Sequence, residues 1–411
     1  MLSRHRRALI SLFQRIHDLE ADRYGKRLLA LEIQEELLVR ITRAESAVRR
    51  WREANTAVKR QLASPGKSRD EARKLKEQHA AGEERIRQQK ELLSVLRSIG
   101  DAVAFIYGDR WELKQLVWHP EPGFITGKRG TRLERGILRA AFAHGAIAVM
   151  NDLTHTLRHG DITIFNEDGT FALMEAKSGR GGNHSRSARQ LAAIDKIGAY
   201  LTTDVREVEG GTWRRVEAAE HPVHHFEAMT RLARNLPPGG WLVEEVEPGL
   251  HYAIIDTAGG NERVEPMLQQ ALGGRTAIFA LPVNEMKQAR LAYYPFPLCL
   301  RDTEVLFRFY NGDFVAFVFV ELNRVNEALA RHGLSVQASG DDEFPWQILD
   351  GTQGEHGVHY LGYHPLGRLA AEFLRLDWLL NNIVVNGAGE TMRREFERGA
   401  AAQQASRTEA P

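Results

Sequence analysis

Only one of the 411 residues is a cysteine, Cys299. That excludes an internal disulfide framework and a cysteine-based zinc site, and it suits a reducing cytoplasm. No apolar run approaches the roughly 20 residues needed to span a bilayer. The N-terminal stretch MLSRHRRALISLFQRI is basic and then amphipathic, without a signal peptide's uninterrupted apolar core and cleavage site. A cytoplasmic protein with no membrane partner is therefore expected. The net charge is +1, so overall charge implies nothing about partners. Its distribution says more: over residues 1–100 Lys and Arg exceed Asp and Glu by roughly nine, leaving the remainder mildly acidic. Up to residue 62 there is no proline and a single glycine, Gly25, and no internal repeat is visible anywhere.

What fills that proline-free region is helix. Leu28, Leu29, Leu31, Ile33, Leu37, Leu38 and Ile41 recur at helical spacing. Ser64-Pro65-Gly66 stops the run, and Ser68 is placed to cap a second helix reaching about Ile99. The spacing predicts an N-terminal α-helical hairpin or coiled-coil arm over residues 1–100. Such an arm suits a homo-oligomer or a partner protein. Its Lys and Arg stripes read first as solvated faces and second as a surface laid along nucleic acid. Pro65-Gly66-Lys67-Ser68 looks like the end of a phosphate-binding loop, but Gln61 stands where that pattern requires glycine, and no strand precedes it.

The stretch that carries chemistry is HGDITIFNEDGTFALMEAK, His159 to Lys177. Strand-type apolar residues lie on both sides of Asn166-Glu167-Asp168-Gly169, which predicts a hairpin. A two-residue Asp168-Gly169 loop would set Asp161 opposite Ala176. A three-residue Glu167-Asp168-Gly169 loop, with glycine in the left-handed position, sets Asp161 opposite Glu175 instead, with Lys177 on the same face. We expect the second register. Two carboxylates on one face are costly unless a cation joins them. Mg²⁺ or Mn²⁺ suits oxygen donors and phosphate substrates, and a neighbouring Lys can orient water or balance developing charge. The chemistry implied is phosphodiester hydrolysis. The glycine-rich basic loop SGRGGNHSRS follows directly, and Arg180, His184, Arg186 and Arg189 are candidate substrate-phosphate contacts.

At these residues the chain resembles the PD-(D/E)xK nuclease superfamily. Asp161 matches the motif Asp, and Glu175-Ala176-Lys177 matches (D/E)-x-K, with Gly160 in place of the family's Pro. The wording LRHGDI looks like the form found in nucleases of bacterial restriction and anti-phage systems. Glu134 on the preceding helix and Gln190 on the following one fall where the family often adds an acidic residue and a Gln. The resemblance covers roughly residues 130–202. It implies an α/β fold with a restriction-endonuclease-like mixed sheet flanked by helices. It further implies metal binding by Asp161, Glu175 and the Ala176 carbonyl, water orientation by Lys177, second-metal support from Glu134, and placement of Lys177 or substrate by Gln190. Double-stranded DNA is the implied substrate, with RNA as the alternative.

The domain expectation is an arm over 1–100, a nuclease core over 101–236, a strand-rich α+β region over 237–390, and a disordered tail over 391–411. His155 and His159 read as loop histidines, and Lys128-Arg129 as a solvated turn. HPVHHF, with His221, His224 and His225, is not expected to bind metal, because no carboxylate or cysteine completes it. Strands are expected at Trp241–Val246, His251–Asp256 and Ala277–Val283 and in a hairpin around Asn311-Gly312, and one apolar helix over Leu366–Leu380. Two rivals to the nuclease reading remain: a nucleic-acid-binding or scaffold protein with an inactive nuclease-like core, and a coiled-coil adaptor whose hairpin is incidental.

Overall fold

Apolar spacing builds three helices at the start of the chain: α1 (Arg6–Ala21), α2 (Arg27–Ala63) and α3 (Arg69–Tyr107). The structure, a computed structural model, describes residues 2–114, 116, 124–128, 130–176, 192, 195, 196, 198–200, 202, 203, 205–208, 211–214, 218, 220–260, 264–275, 277–289, 293–342, 344–351 and 358–386. The fold is mixed α/β, with long N-terminal helices and several sheets, and every strand pair among the described residues is antiparallel. The chain divides into two compact units, Met1–Arg215 with Tyr293–Asn311, and Val216–Ala292 with Gly312–Pro411. No helix among the described residues is long and apolar enough to cross a membrane. The expected tail over 391–411 lies outside the described residues.

In the first unit, α2 and α3 form the expected antiparallel hairpin: Glu45 meets Arg97, and Asn55 meets Glu83. Ser68 caps α3, its hydroxyl accepting from the Glu71 N–H while the Glu71 carboxylate accepts from the Ser68 N–H. The first helix does not run unbroken to residue 62. Asp22 accepts from the Gly25 N–H at 3.0 Å and turns the chain, so α1 folds back with Leu9, Leu12, Phe13, Ile16 and Leu19 buried. The second half of α3, from Leu92 to Tyr107, is almost wholly buried and forms the centre of this unit.

Around it lie α4 (Arg110–Lys114), α5 (Thr131–Ala143) and a three-stranded sheet of β1 (Ile147–Met150), β2 (Ile162–Phe165) and β3 (Phe171–Met174), in that order. Being at the sheet edge, β1 has unpaired backbone groups, and a side chain from α2 meets them. Gln34 donates to the Ala148 carbonyl at 2.9 Å and accepts from the Met150 N–H at 3.0 Å. Strands β4 (Val205–Val208) and β5 (Gly211–Arg214) pair separately. The expected hairpin around Asn311-Gly312 is instead a helix, Thr303–Asn311, followed by a strand. Asp302 caps the helix, accepting from the Glu304 and Val305 N–H groups, and Gly312 ends it at φ +77°.

In the second unit, β6 (Trp241–Glu247), β7 (Leu250–Asp256), β8 (Ile278–Pro282) and β9 (Phe314–Glu321) form one sheet in the order β6-β7-β9-β8. Helices α6 (Phe226–Asn235) and α7 (Val264–Leu272) pack on it, with Ala253, Ile255, Met267 and Phe319 at a buried centre. A second sheet joins β10 (Leu334–Ala338), β11 (Trp346–Asp350) and β12 (Val358–Leu361), and α8 (Leu322–Ala330) precedes it. The apolar helix expected over Leu366–Leu380 is broken. It forms as α9 (Tyr363–Ala371) and a second piece from Leu376. Between them Phe373 takes φ +51° and Leu374 makes a bridge to His224, so backbone pairing replaces helix.

Candidate active site

The β2–β3 hairpin has the expected register. Phe165 pairs with Phe171 and Ile162 with Met174, and the Asn166 N–H donates to the Thr170 carbonyl at 2.9 Å. That leaves Glu167, Asp168 and Gly169 as a three-residue loop, with Gly169 at φ +89°. The register sets Asp161 opposite Glu175. The Asp161 N–H donates to the Met174 carbonyl, and Asp161 Oδ2 accepts from the Ala176 N–H, both at 2.8 Å. The carboxylate is thus tied to the end of the strand that carries the second acidic residue.

What aims Asp161 is the loop before it, and that loop hangs on α3. Asp101 is buried in α3 and accepts from the His155 and Thr156 N–H groups at 2.9 and 2.8 Å. One residue earlier, Gly100 admits the Leu153 carbonyl, which a Cβ there would meet at 2.0 Å. Asn151 closes the loop. Its side chain donates to the His159 carbonyl and accepts from the Thr163 hydroxyl, while its N–H donates to the Asp161 carbonyl. Gly160, immediately before Asp161, has φ +71°, a conformation closed to proline, whose ring holds φ near −65°. Glycine at the motif's Pro position is therefore what this backbone requires.

The third carboxylate comes from α5. Glu134 lies in its first turn and is only 4% exposed. Leu138 and Phe142, on the turns beyond it, are also buried. Gly130 gives Glu134 room, since a Cβ there would lie 2.8 Å from its Oε1. Burial first, and then the charges of Asp161, Asp152 and Glu175, push the Glu134 carboxyl up to about 7, with Lys128 pulling the other way. The set therefore stores like-charge repulsion that a divalent cation would relieve. All its side-chain donors are carboxylate oxygens, the chemistry that hard cations take. Glu134, Asp161 and Glu175 are nevertheless not gathered within 4.8 Å of one another.

Of the other expected site residues, Ala176 lies beside Asp161 through its N–H. Lys177, Arg180, His184, Arg186, Arg189 and Gln190 fall outside the described residues, as does Arg129. Lys128 pairs with Asp152, a carboxylate beside Glu134 that the sequence reading did not single out. Its position in an ordinary-looking loop carried no signal. His155 meets the Ser94 carbonyl at 3.0 Å, as suits a loop histidine.

In the second unit, His224 and His225 each find a carboxylate that spacing in sequence could not reveal. His224 lies 3.6 Å from Glu372 and His225 3.2 Å from Glu247, so the two rings serve different partners. Among the described residues, the group of three donors that does meet within 4.8 Å is Glu245, His251 and Glu321. The register accounts for it, because Glu245 faces His251 across β6 and β7 while Glu321 ends β9 beside them. His251 and Arg275 both contact Glu321 Oε1, and Arg275 already supplies the positive charge a metal would bring. No protein-family model, curated protein or solved structure matches this chain.

Proposed function

We propose that this chain is a metal-dependent nuclease, a phosphodiester hydrolase with a restriction-endonuclease-like core of the PD-(D/E)xK type. The observation that carries the reading is the register that sets Asp161 opposite Glu175, together with a buried Glu134 whose carboxyl burial and their charges push up to about 7. Hairpins ending in an acidic residue are common. A hairpin that also draws in a buried glutamate from a helix is the arrangement expected of a cation site.

Asp161 and Glu175 would hold Mg²⁺ or Mn²⁺ with the Ala176 carbonyl, and Glu134 would support a second ion. Such an ion, when bound, acidifies water and stabilises the charge of the phosphorane-like transition state. The chain's own groups do the rest. The Ala176 N–H holds the Asp161 carboxylate in place. Lys177 orients the attacking water in line with the leaving oxygen and balances the charge that builds on phosphorus. Gln190 places Lys177 or the substrate, and Arg180, His184, Arg186 and Arg189 attract its phosphates. A bond forms from the water oxygen to phosphorus as that water gives up a proton to solvent, the ester P–O bond breaks, and the departing oxygen takes up a proton from solvent. Double-stranded DNA is the proposed substrate. A role as effector of a bacterial anti-phage or restriction system rests on motif likeness alone.

The test is cleavage of plasmid DNA with Mg²⁺ or Mn²⁺ by wild type, Asp161→Ala and Lys177→Ala. We expect metal-dependent cutting that both substitutions reduce by at least about a hundredfold. Cutting that survives both would place the catalytic centre elsewhere. Binding of DNA in EDTA with no cleavage of DNA or RNA under any condition would favour an inactive core.

A further inference from the structure

The geometry points to one flank of α2, carrying Arg49, Arg52, Lys59 and Arg60, as a track for the phosphate backbone of a nucleic acid duplex leading to the carboxylate site. It rests on the nuclease reading for its ligand, while its charge and placement are independent of that reading. Counted from Arg49, the spacings 3, 10 and 11 put all four on one side of a helix of 3.6 residues per turn. All four are exposed. None has a carboxylate partner among the described residues. Several acidic residues of the hairpin are engaged elsewhere: Asp70 with Arg73, Glu84 with Arg87, Glu71 with the Ser68 cap and Glu83 with Asn55. Exposed Glu53 stands at the edge of the flank beside Arg49 and Arg60, which leaves the flank a net excess of three positive charges.

The near end of this flank is fastened beside the site. The Arg52 guanidinium lies 5.5 Å from the Phe124 ring centroid, and that of Arg49 approaches Gly127. The segment between them is anchored on α2, where Glu45 accepts from the Thr126 N–H and hydroxyl at 2.8 and 2.9 Å. Lys128 follows, paired with Asp152 in the set of charges around Glu134. Basic groups therefore run from the carboxylates, through the 124–128 segment, onto α2. Arg49 to Arg60 rises about 16 Å, the length of about five base pairs. Four cations over that length, on a flank next to the face that α2 packs on α3, match a polyanion of regular spacing. An oligomer seam would need apolar groups on this flank.

The experiment measures anisotropy of short labelled duplexes with the full chain in EDTA, across a range of salt concentrations, comparing wild type with Lys59→Gln/Arg60→Gln and with Arg50→Glu. Both variants lower the net charge by the same amount. Arg50 is exposed but faces away from the track, so it separates local contact from overall charge. We expect the double variant to weaken duplex DNA binding at least about tenfold and to reduce the salt slope by about two. Arg50→Glu should stay within about twofold of wild type. Equal effects of the two variants, or no effect of the double variant, would overturn the track while leaving the nuclease reading standing. Track-dependent binding with no metal-dependent cleavage would sink the nuclease reading and keep the track. Duplex RNA and single strands, run in parallel, distinguish the form of nucleic acid held.

Discussion

Glu134 and Glu372 are both buried glutamates, one in each unit, and the structure treats them in opposite ways. Glu372 is the deeper, with no exposed surface. Burial alone would hold it neutral, yet Arg368 and His224 outweigh that and keep its carboxyl below the ordinary range. Glu134 retains slight exposure, and its carboxyl is pushed up to about 7. Depth does not decide between them. Neighbours do: a guanidinium and an imidazole stand beside Glu372, whereas Asp161, Asp152 and Glu175 act on Glu134 against Lys128 alone. A carboxylate with its cation built in is structure. One surrounded by its own kind is held part-neutral, and under the proposed function it is where an added cation would act.

The largest effect that would sharpen this contrast is at Glu372. Glu372→Ala strands the Arg368 guanidinium, and unfolding by urea should show a loss of about 3–5 kcal/mol. Adding Arg368→Met should recover part of that loss, because the uncompensated charge is then gone. If the single substitution proved neutral, the claim that the pair carries structure would fail.

Glu134 should behave in the opposite sense. In metal-free protein its proton is released near 7 when folded and near 4.5 when unfolded, so between those values the folded chain holds more protons. Stability should therefore fall as pH rises through that window, by at most about 3 kcal/mol. Thermal melts in EDTA should show this decline in wild type and lose it in Glu134→Gln. Mn²⁺ should raise the wild-type melting temperature most at the upper end of the window. Superimposable pH profiles for the two proteins would break the comparison.

The smallest effect concerns the backbone that aims Asp161. Gly160→Ala puts a Cβ 2.9 Å from the Met174 carbonyl in a left-handed conformation and should cost about 1–2 kcal/mol. A circular-dichroism melt checks it. An unchanged melting temperature would mean that the turn relaxes freely and does not fix Asp161.

Legibility in sequence followed the range of the forces, with one local exception at Asp22. The Ser68 cap and the three-residue turn at Gly169 depend on residues within a few positions of one another, and the two helices of the hairpin on apolar spacing along each and the stop at Ser64-Pro65-Gly66; all three were readable. The breaks at Asp22–Lys26 and Glu372–Arg375 were missed. In the first, an aspartate side chain competes with helix for one N–H. In the second, a bridge between His224 and Leu374 does so between residues that two sheets and several helices separate in sequence. Spacing also could not show that His224 and His225 reach two separate glutamates, or that Asp152 stands beside Glu134.

By itself, the sequence determined that Asp161 faces Glu175, because side chains alternate along strands and a glycine in the left-handed position sets the loop length. Only the tertiary structure decided that Glu134 comes under their charge. Its approach depends on α5 packing with Leu138 and Phe142 inward, on Gly100 and Asp101 of α3 holding the loop before Asp161, and on a positive φ at Gly160. None of those couplings is local, and the rise of its pKa is a sum over charges that only folding brings close.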